Sequence, residues 1–166
     1  MSTMNIEQSA SLECEISSYS LYSSIFSPNR IIVGEVRGAE AIDMLQALNT
    51  GHDGSLSTGH ANSPKDMLSR LESMVLMGMD LPLGAVQRQI ASGIDIIVHL
   101  GRLRDKSRKV LEVSEILGYQ DGEILVSPLY RFEETGEKDG KIQGTWRKMD
   151  DLVHTQKLLA AGYKEV

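Results

Sequence analysis

Cysteine is nearly absent from this 166-residue chain: Cys14 is the only one. A lone thiol excludes an intrachain disulfide and a cysteine-based zinc site, which fits a reducing compartment. No apolar run is long enough to read as a membrane-spanning helix. The first residues carry no basic stretch followed by an apolar one, so they do not read as a secretory signal. A surplus of positive charge is missing as well. The formal net charge is −6, which argues against non-specific nucleic-acid binding, and no nucleic-acid partner is expected. No Gly-x-Ser-x-Gly nucleophile signature occurs.

What is present reads as one core, the prior for a chain of this length. Residues 1–27 are serine-rich and hold neither periodicity for long, so they read as a poorly ordered leader. Leu12, Ile16, Tyr19, Tyr22 and Phe26 form at most the loose stripe of a short helix. Pro28 ends that region, and residues 28–166 form the domain. The aliphatic run Ile31–Val33 predicts a strand reaching Glu35 or Val36. Ala41, Met44, Leu45 and Leu48 predict a helix over Gly38–Leu48, with Gly51 closing it in the left-handed conformation. A short strand is expected over Ser55–Thr58. Ser63, Pro64 and Asp66 then open a helix by a capping box with proline at its first position, and Leu68, Leu71, Val75 and Leu76 should face the core. The methionines Met74, Met77 and Met79 have two readings: adaptable core packing, the commoner use, or a partner groove.

A helix after Pro82 stops at Gly93, and the pattern then alternates. Strands are expected over Ile94–Leu100, Val110–Leu117, Ile124–Phe132 and Lys141–Trp146, with a charged loop over Glu133–Gly140. The basic cluster Arg102, Arg104, Lys106, Arg108 and Lys109 sits around a turn and reads as a solvated hairpin tip. A last helix carries Leu152, Leu158 and Leu159 and ends at Gly162.

Two stretches carry chemistry. The first is the aliphatic strand ending in Gly34-Glu35. A carboxylate at the end of a buried strand can orient water or hold a metal-bound water in phosphoryl transfer. Arg37, two residues on, has two readings: a phosphate contact or a structural ion pair. The second is Thr58-Gly59-His60-Ala61-Asn62-Ser63-Pro64, a turn running into a helix N-terminus, where backbone N–H groups and the helix dipole suit an anion. His60 there could donate to a phosphate oxygen or be structural. His52-Asp53 reads as a turn rather than a metal pair.

These residues stand in an order that resembles a known family. The block Arg30–Pro82, its continuation Gln89–Ile116 and the segment Leu129–Trp146 are similar to the type II/type IV secretion ATPase superfamily, most of all its pilus-assembly branch exemplified by CpaF. The resemblance implies an α/β fold: the C-terminal part of a RecA-like P-loop NTPase core with appended antiparallel β-hairpins and a C-terminal helix. It implies a cytoplasmic, usually hexameric ring, peripheral to the inner membrane through pilus or secretion platform proteins, using ATP and Mg. Glu35 then falls on the catalytic acid of an atypical Walker B, and His60 on the phosphate-sensing histidine, with no direct metal ligand and Glu35 reaching Mg through water. Arg37 and Arg70 fall where the family commonly has arginine, for nucleotide binding or structure.

The departures shape the expectation. No Gly-x-x-x-x-Gly-Lys-[Ser/Thr] phosphate loop occurs, and this loop cradles the phosphates and supplies the Mg-binding hydroxyl. The acidic box and the family's N-terminal domain are not recognisable either. The chain is therefore expected to be a truncated family member that binds no cofactor alone, or a non-catalytic ring subunit or interaction module. The strand Ile31–Val36 and the apolar faces of the helices Gly38–Leu48 and Pro64–Met77 should be partly uncovered.

Overall fold

The computed structural model describes residues 29–163. The expected leader 1–27 lies outside the described residues. The first half alternates short strands with helices: β1 (Ile32–Val33), α1 (Ala41–Leu48), β2 (Leu56–Ser57), α2 (Pro64–Gly78) and α3 (Leu83–Gly93). The second half is a meander of β3 (Ile96–Arg102), β4 (Arg108–Gln120), β5 (Glu123–Lys138) and β6 (Lys141–Lys148), closed by the short helix α4 (Gln156–Ala160).

Strands β1 and β2 pair in parallel, Ile32 opposite Leu56 and Val33 opposite Ser57. Regular pairing is shorter than the aliphatic run suggests, because Gly34 interrupts the strand. Single hydrogen bonds still extend the contact at both ends. Ile31 N donates to Ser55 Oγ at 2.8 Å, Leu56 N to the Ile31 carbonyl at 3.0 Å, and Val36 N to the Thr58 carbonyl at 3.1 Å. The Thr58 hydroxyl donates to the Gly34 carbonyl.

The helices form as their sequence dictates. Gly51 closes the turn after α1 at φ 85°. Ser63 Oγ accepts from Asp66 N at 3.1 Å with Pro64 opening α2, which satisfies one of the orphan donors of the first turn. Ala41, Met44 and Leu45 of α1 meet Leu68, Leu71, Met74 and Val75 of α2 and Val86 and Ile90 of α3 in one core, with Ile116 of β4 entering from the sheet. The apolar face of α1 and most of that of α2 are therefore covered, because the three helices and the sheet close on one another, while Leu76 and Met77 at the end of α2 stay exposed, in line with the expected partial uncovering. Apolar surface is uncovered on the strands as well: Ile32 is 76% and Leu56 64% exposed. Leu76 faces outward, and so do Met77 and Met79, while Met74 alone of the three methionines packs inside.

The four-stranded sheet runs in the order β3-β4-β5-β6, all antiparallel. Its strands are longer than their apolar patterns indicate. Residues 133–138, expected as loop, continue β5 and pair with β6; only Asp139 and Gly140 turn, both at positive φ. Arg147 pairs with Glu133 at 3.2 Å, and Arg104, from the β3–β4 turn, reaches Glu134 and Glu137. The basic cluster does surround that turn. Asp105 accepts from Ser107 Oγ at 2.6 Å and from Ile142 N at 2.9 Å, tying the turn to the start of β6.

The C-terminal segment is fastened to the sheet by Glu115, 1% exposed. It accepts from Val153 N at 2.8 Å and His154 N at 2.7 Å, and His154 Nδ1 lies 3.0 Å from it. Lys157 adds ion pairs to Asp95 at 2.9 Å and Asp53 at 3.1 Å. Leu152 lies before α4 rather than in it.

Candidate functional site

The β1–β2 pairing sets the site. It draws the segment after β1, with Glu35 and Arg37, beside the turn after β2, with His60. Glu35 Oε1 lies 3.1 Å from His60 Nε2 and Glu35 Oε2 lies 2.6 Å from Arg37 Nη2. Each carboxylate oxygen thus holds one nitrogen. The residues 24 apart that bring these groups together are Gly34 and Thr58, bonded side chain to backbone.

Glu35 is half-buried, its side chain 22% exposed, while Arg37 is 76% and His60 83% exposed. The hydrogen bond from Arg37 holds the Glu35 carboxyl below the usual carboxylate range; desolvation opposes this, and the charges of Arg37, His60 and Arg70 add to it. Glu35 is therefore ionised at neutral pH and is an acceptor only. Its contact with His60 requires a proton on Nε2.

Glu40 holds the loop between Glu35 and α1. Its Oε1 accepts from Arg37 N at 2.7 Å and from Gly38 N at 3.0 Å. Burial pushes the Glu40 carboxyl upward, but the backbone N–H groups of Arg37, Glu40 and Gly38 together outweigh it and hold it below its ordinary value. This fixes the backbone of Arg37 while leaving its guanidinium at the surface.

A cleft of about 620 Å³ opens beside His60, lined by Asn62, Asp66, Ser69, Arg70 and Ser73 among others. Asp66, Ser69, Arg70 and Ser73 recur at three- and four-residue spacing on α2 and form its polar face, opposite the buried Leu68, Leu71 and Val75. Arg70 is thus beside the site without touching Glu35, acting on it only through its charge. Glu35, Arg37 and His60 are brought into direct contact; Arg70 is not. Ser69, Ser73 and Glu40 were not singled out from sequence. The helical spacing of the α2 residues was a usable signal; nothing local marked Glu40.

The arrangement presents an ionised carboxylate flanked by nitrogen donors, with arginines at the rim. It suits an anion approaching from the His60 side and a water held by Glu35. Among the described residues, no group of three or more His, Cys, Asp or Glu is placed to hold a metal ion. The donor set fits the terminal phosphate of a nucleotide. His52 is structural: its Nδ1 lies 3.2 Å from both Thr50 Oγ1 and the Ala47 carbonyl.

Comparison with known proteins bears on this geometry. The family model described as "Type II/IV secretion system protein" matches residues 26–149. A protein of Mycobacterium tuberculosis named for conjugal transfer is 40% identical over 97 residues, 58% of this chain and 27% of that relative. The conjugal transfer protein TrbB of Rhizobium radiobacter is 37% identical over 107 residues, 64% of this chain and 32% of its own length. The crystal structure of the VirB11 ATPase from the Brucella suis type IV secretion system aligns with a TM-score of 0.55 at 31% identity, covering 59% of this chain and 31% of that one. The mixed α/β fold matches part of the RecA-like core of that ATPase. The chain spans about a quarter to a third of the length of these relatives. Among the described residues, no helix is long and apolar enough to cross a membrane.

Proposed function

This chain belongs to the type II/IV secretion system protein family, and we propose that it carries the water- and phosphate-facing part of a motor ATPase site without the phosphate loop. The observation that carries the reading is Glu35 held between His60 Nε2 and Arg37 Nη2 at the end of a strand. Within the family we assign it to the pilus-assembly branch exemplified by CpaF. In that reading the complete motor is a hexameric cytoplasmic ring that docks on inner-membrane pilus or secretion platform proteins.

Bound Mg–ATP would supply the transferable phosphoryl group, with the metal neutralising charge that develops on it. The chain's own residues do the rest. Glu35, kept ionised by Arg37, accepts a hydrogen bond from a water and aims it. A carboxylate below the ordinary range is a weak base, so its role is orientation more than proton removal. A loose phosphoryl-transfer transition state needs little more. His60 Nε2–H is donated to Glu35 at rest. When a phosphate oxygen arrives, the same N–H turns to it and releases Glu35 Oε1 for the water. His60 thereby links phosphate arrival to water positioning. Arg37 and Arg70 supply positive charge at the rim, and Glu40 keeps Arg37 in place.

A second reading, a non-catalytic ring subunit or interaction module, is favoured by one observation: the sequence contains no phosphate loop. Both readings make the chain alone a poor nucleotide binder. Titration of purified protein with a fluorescent ATP analogue and Mg should show no saturation at micromolar concentrations. Saturable micromolar binding would sink the proposal that the phosphate loop must come from elsewhere.

A further inference from the structure

A groove of about 970 Å³ is bordered by Leu56 and Ser57 of β2 and by the whole of β3, and it reaches Thr58, Gly59 and His60 beside the candidate site. No residue of β1 borders it, and of β4 only the first, Arg108, does. The groove therefore follows the free edges of β2 and β3, which belong to different sheets. Successive residues of a strand turn their N–H and C=O groups to opposite sides. Leu56 N donates to the Ile31 carbonyl and the Thr58 carbonyl accepts from Val36 N, both toward β1. Ser57 between them turns its N–H and C=O to the groove. The Asp95 carbonyl accepts from Ile116 N of β4, so Ile96 turns to the groove, and Val98 with it. Two backbone edges thus border one groove, a setting that takes up an added strand.

The same two strands fix the direction of the occupant. Lys157 pairs with Asp53, shortly before β2, at 3.1 Å and with Asp95, just before β3, at 2.9 Å. Both strands therefore run along the groove from one end, and β1 runs parallel to β2. A strand laid between β2 and β3 can be parallel to all three. Its carboxyl end then arrives at Thr58, Gly59 and His60, and the carboxyl ends of parallel strands are where such sheets hold ligands. A strand with parallel neighbours is covered on both faces and is aliphatic throughout. Val36, Met44 and Leu71 line the groove, and Leu56 and Leu100, 64% and 65% exposed, wait at its walls. We propose that this groove seats an aliphatic strand that runs into a phosphate loop, supplied from outside these 166 residues, which contain no such loop. The inference rests on the reading of Glu35 and His60 given above. A phosphate loop follows a strand and precedes a helix, so a strand seated in this direction brings the loop's N–H groups to the phosphate that His60 faces. Seated there, it also joins the two sheets into one.

The probe is a synthetic peptide: leading lysines for solubility, a run of valine and isoleucine, then Gly-x-x-x-x-Gly-Lys-Ser. The control peptide carries proline at alternate positions of the run, which removes the ladder donors. Amide hydrogen exchange of the full chain is read at Ser57, Ile96 and Val98 with and without each peptide. The aliphatic peptide should slow these amides roughly tenfold or more, and the proline peptide should leave them unchanged. Leu100→Asp, at an exposed side chain, should abolish the protection at an unchanged melting temperature. No protection by the aliphatic peptide, or equal protection by both, would overturn the proposal. So would slow exchange of these amides in the chain alone, since the groove would then be filled by this chain or a second copy. A fluorescent ATP analogue with Mg, added to the chain with its seated peptide, tests the underlying reading separately. Saturable binding that His60→Ala weakens supports both. Edge protection without nucleotide binding keeps the strand seat and counts against the reading of Glu35 and His60.

Discussion

The two halves of the molecule are built on opposite principles. In the second half each strand pairs with its neighbour in sequence, through hairpins of two to five residues, over strands of 7, 13, 16 and 8 residues. In the first half the two strands hold two residues each, and the pairing joins segments about 24 positions apart. The meander is made by local contacts. The half that bears Glu35, Arg37, His60 and Arg70 depends on long-range hydrogen bonds and on helices packing around a shared core. The proposed site thus lies on the half with the sparser ladder. Groups that must exchange partners, as His60 would between Glu35 and a phosphate, are easier to place on loops than in a ladder.

The largest stability effect should come from the clasp that ties the C-terminal segment to the meander. Glu115→Ala removes a buried acceptor that holds the N–H groups of Val153 and His154, at a cost of about 1–2 kcal/mol, since water can reach the released donors. Thermal unfolding should shift downward, and limited proteolysis should cut first within residues 151–163. An unchanged melting temperature would mean that the C-terminal segment does not need this clasp. On the other side of the comparison, Ser63→Ala removes the cap of α2 and should cost about 1 kcal/mol by denaturant titration. If that loss is absent, the α2 N-terminus that faces the site is held by something other than its cap.

A pH effect separates the halves more finely. The Asp105 carboxyl is held down to about 2 by the Ser107 hydroxyl and the Ile142 N–H. A group whose folded value is depressed contributes stability that is present above its unfolded value, near 4, and lost as pH falls toward the folded one. The link between the β3–β4 turn and β6 should therefore weaken between about pH 4 and pH 2, read as faster exchange of the Ile142 amide after correction for intrinsic rates. Asp105→Asn should remove that pH dependence.

Much of the first half was legible because its signals are local. Ser63, Pro64 and Asp66 announced α2, Gly51 ended the turn after α1, and the apolar stripe of α1 found the core. Glu35 and His60 stood out because a strand end and a strand–helix turn are recognisable places for phosphate chemistry. Their meeting was not legible: it depends on Thr58 bonding Gly34, a register that no local pattern encodes. The second half misled where it is most polar. Glu133, Glu134, Glu137 and Lys138 lie on a strand exposed on both faces, so the apolar alternation that marks a strand is missing. The three glutamates are held by Arg147 and Arg104, distant in sequence. Glu40, Glu115 and Lys157 escaped notice for the same reason, since each matters only through partners that the fold supplies.

The central claim is that Glu35 positions water for attack on a phosphate sensed by His60. It is tested most directly in a full-length relative that carries this block and a phosphate loop. There the acid matching Glu35 is replaced by Gln, and the histidine matching His60, separately, by Ala. Phosphate release and nucleotide binding are then measured side by side. The account predicts that the Gln variant loses about a hundredfold or more in turnover while binding persists, as for other losses of transition-state stabilisation. The Ala variant should lose less, because the sensor is one donor among several. Wild-type turnover in the Gln variant would contradict the account.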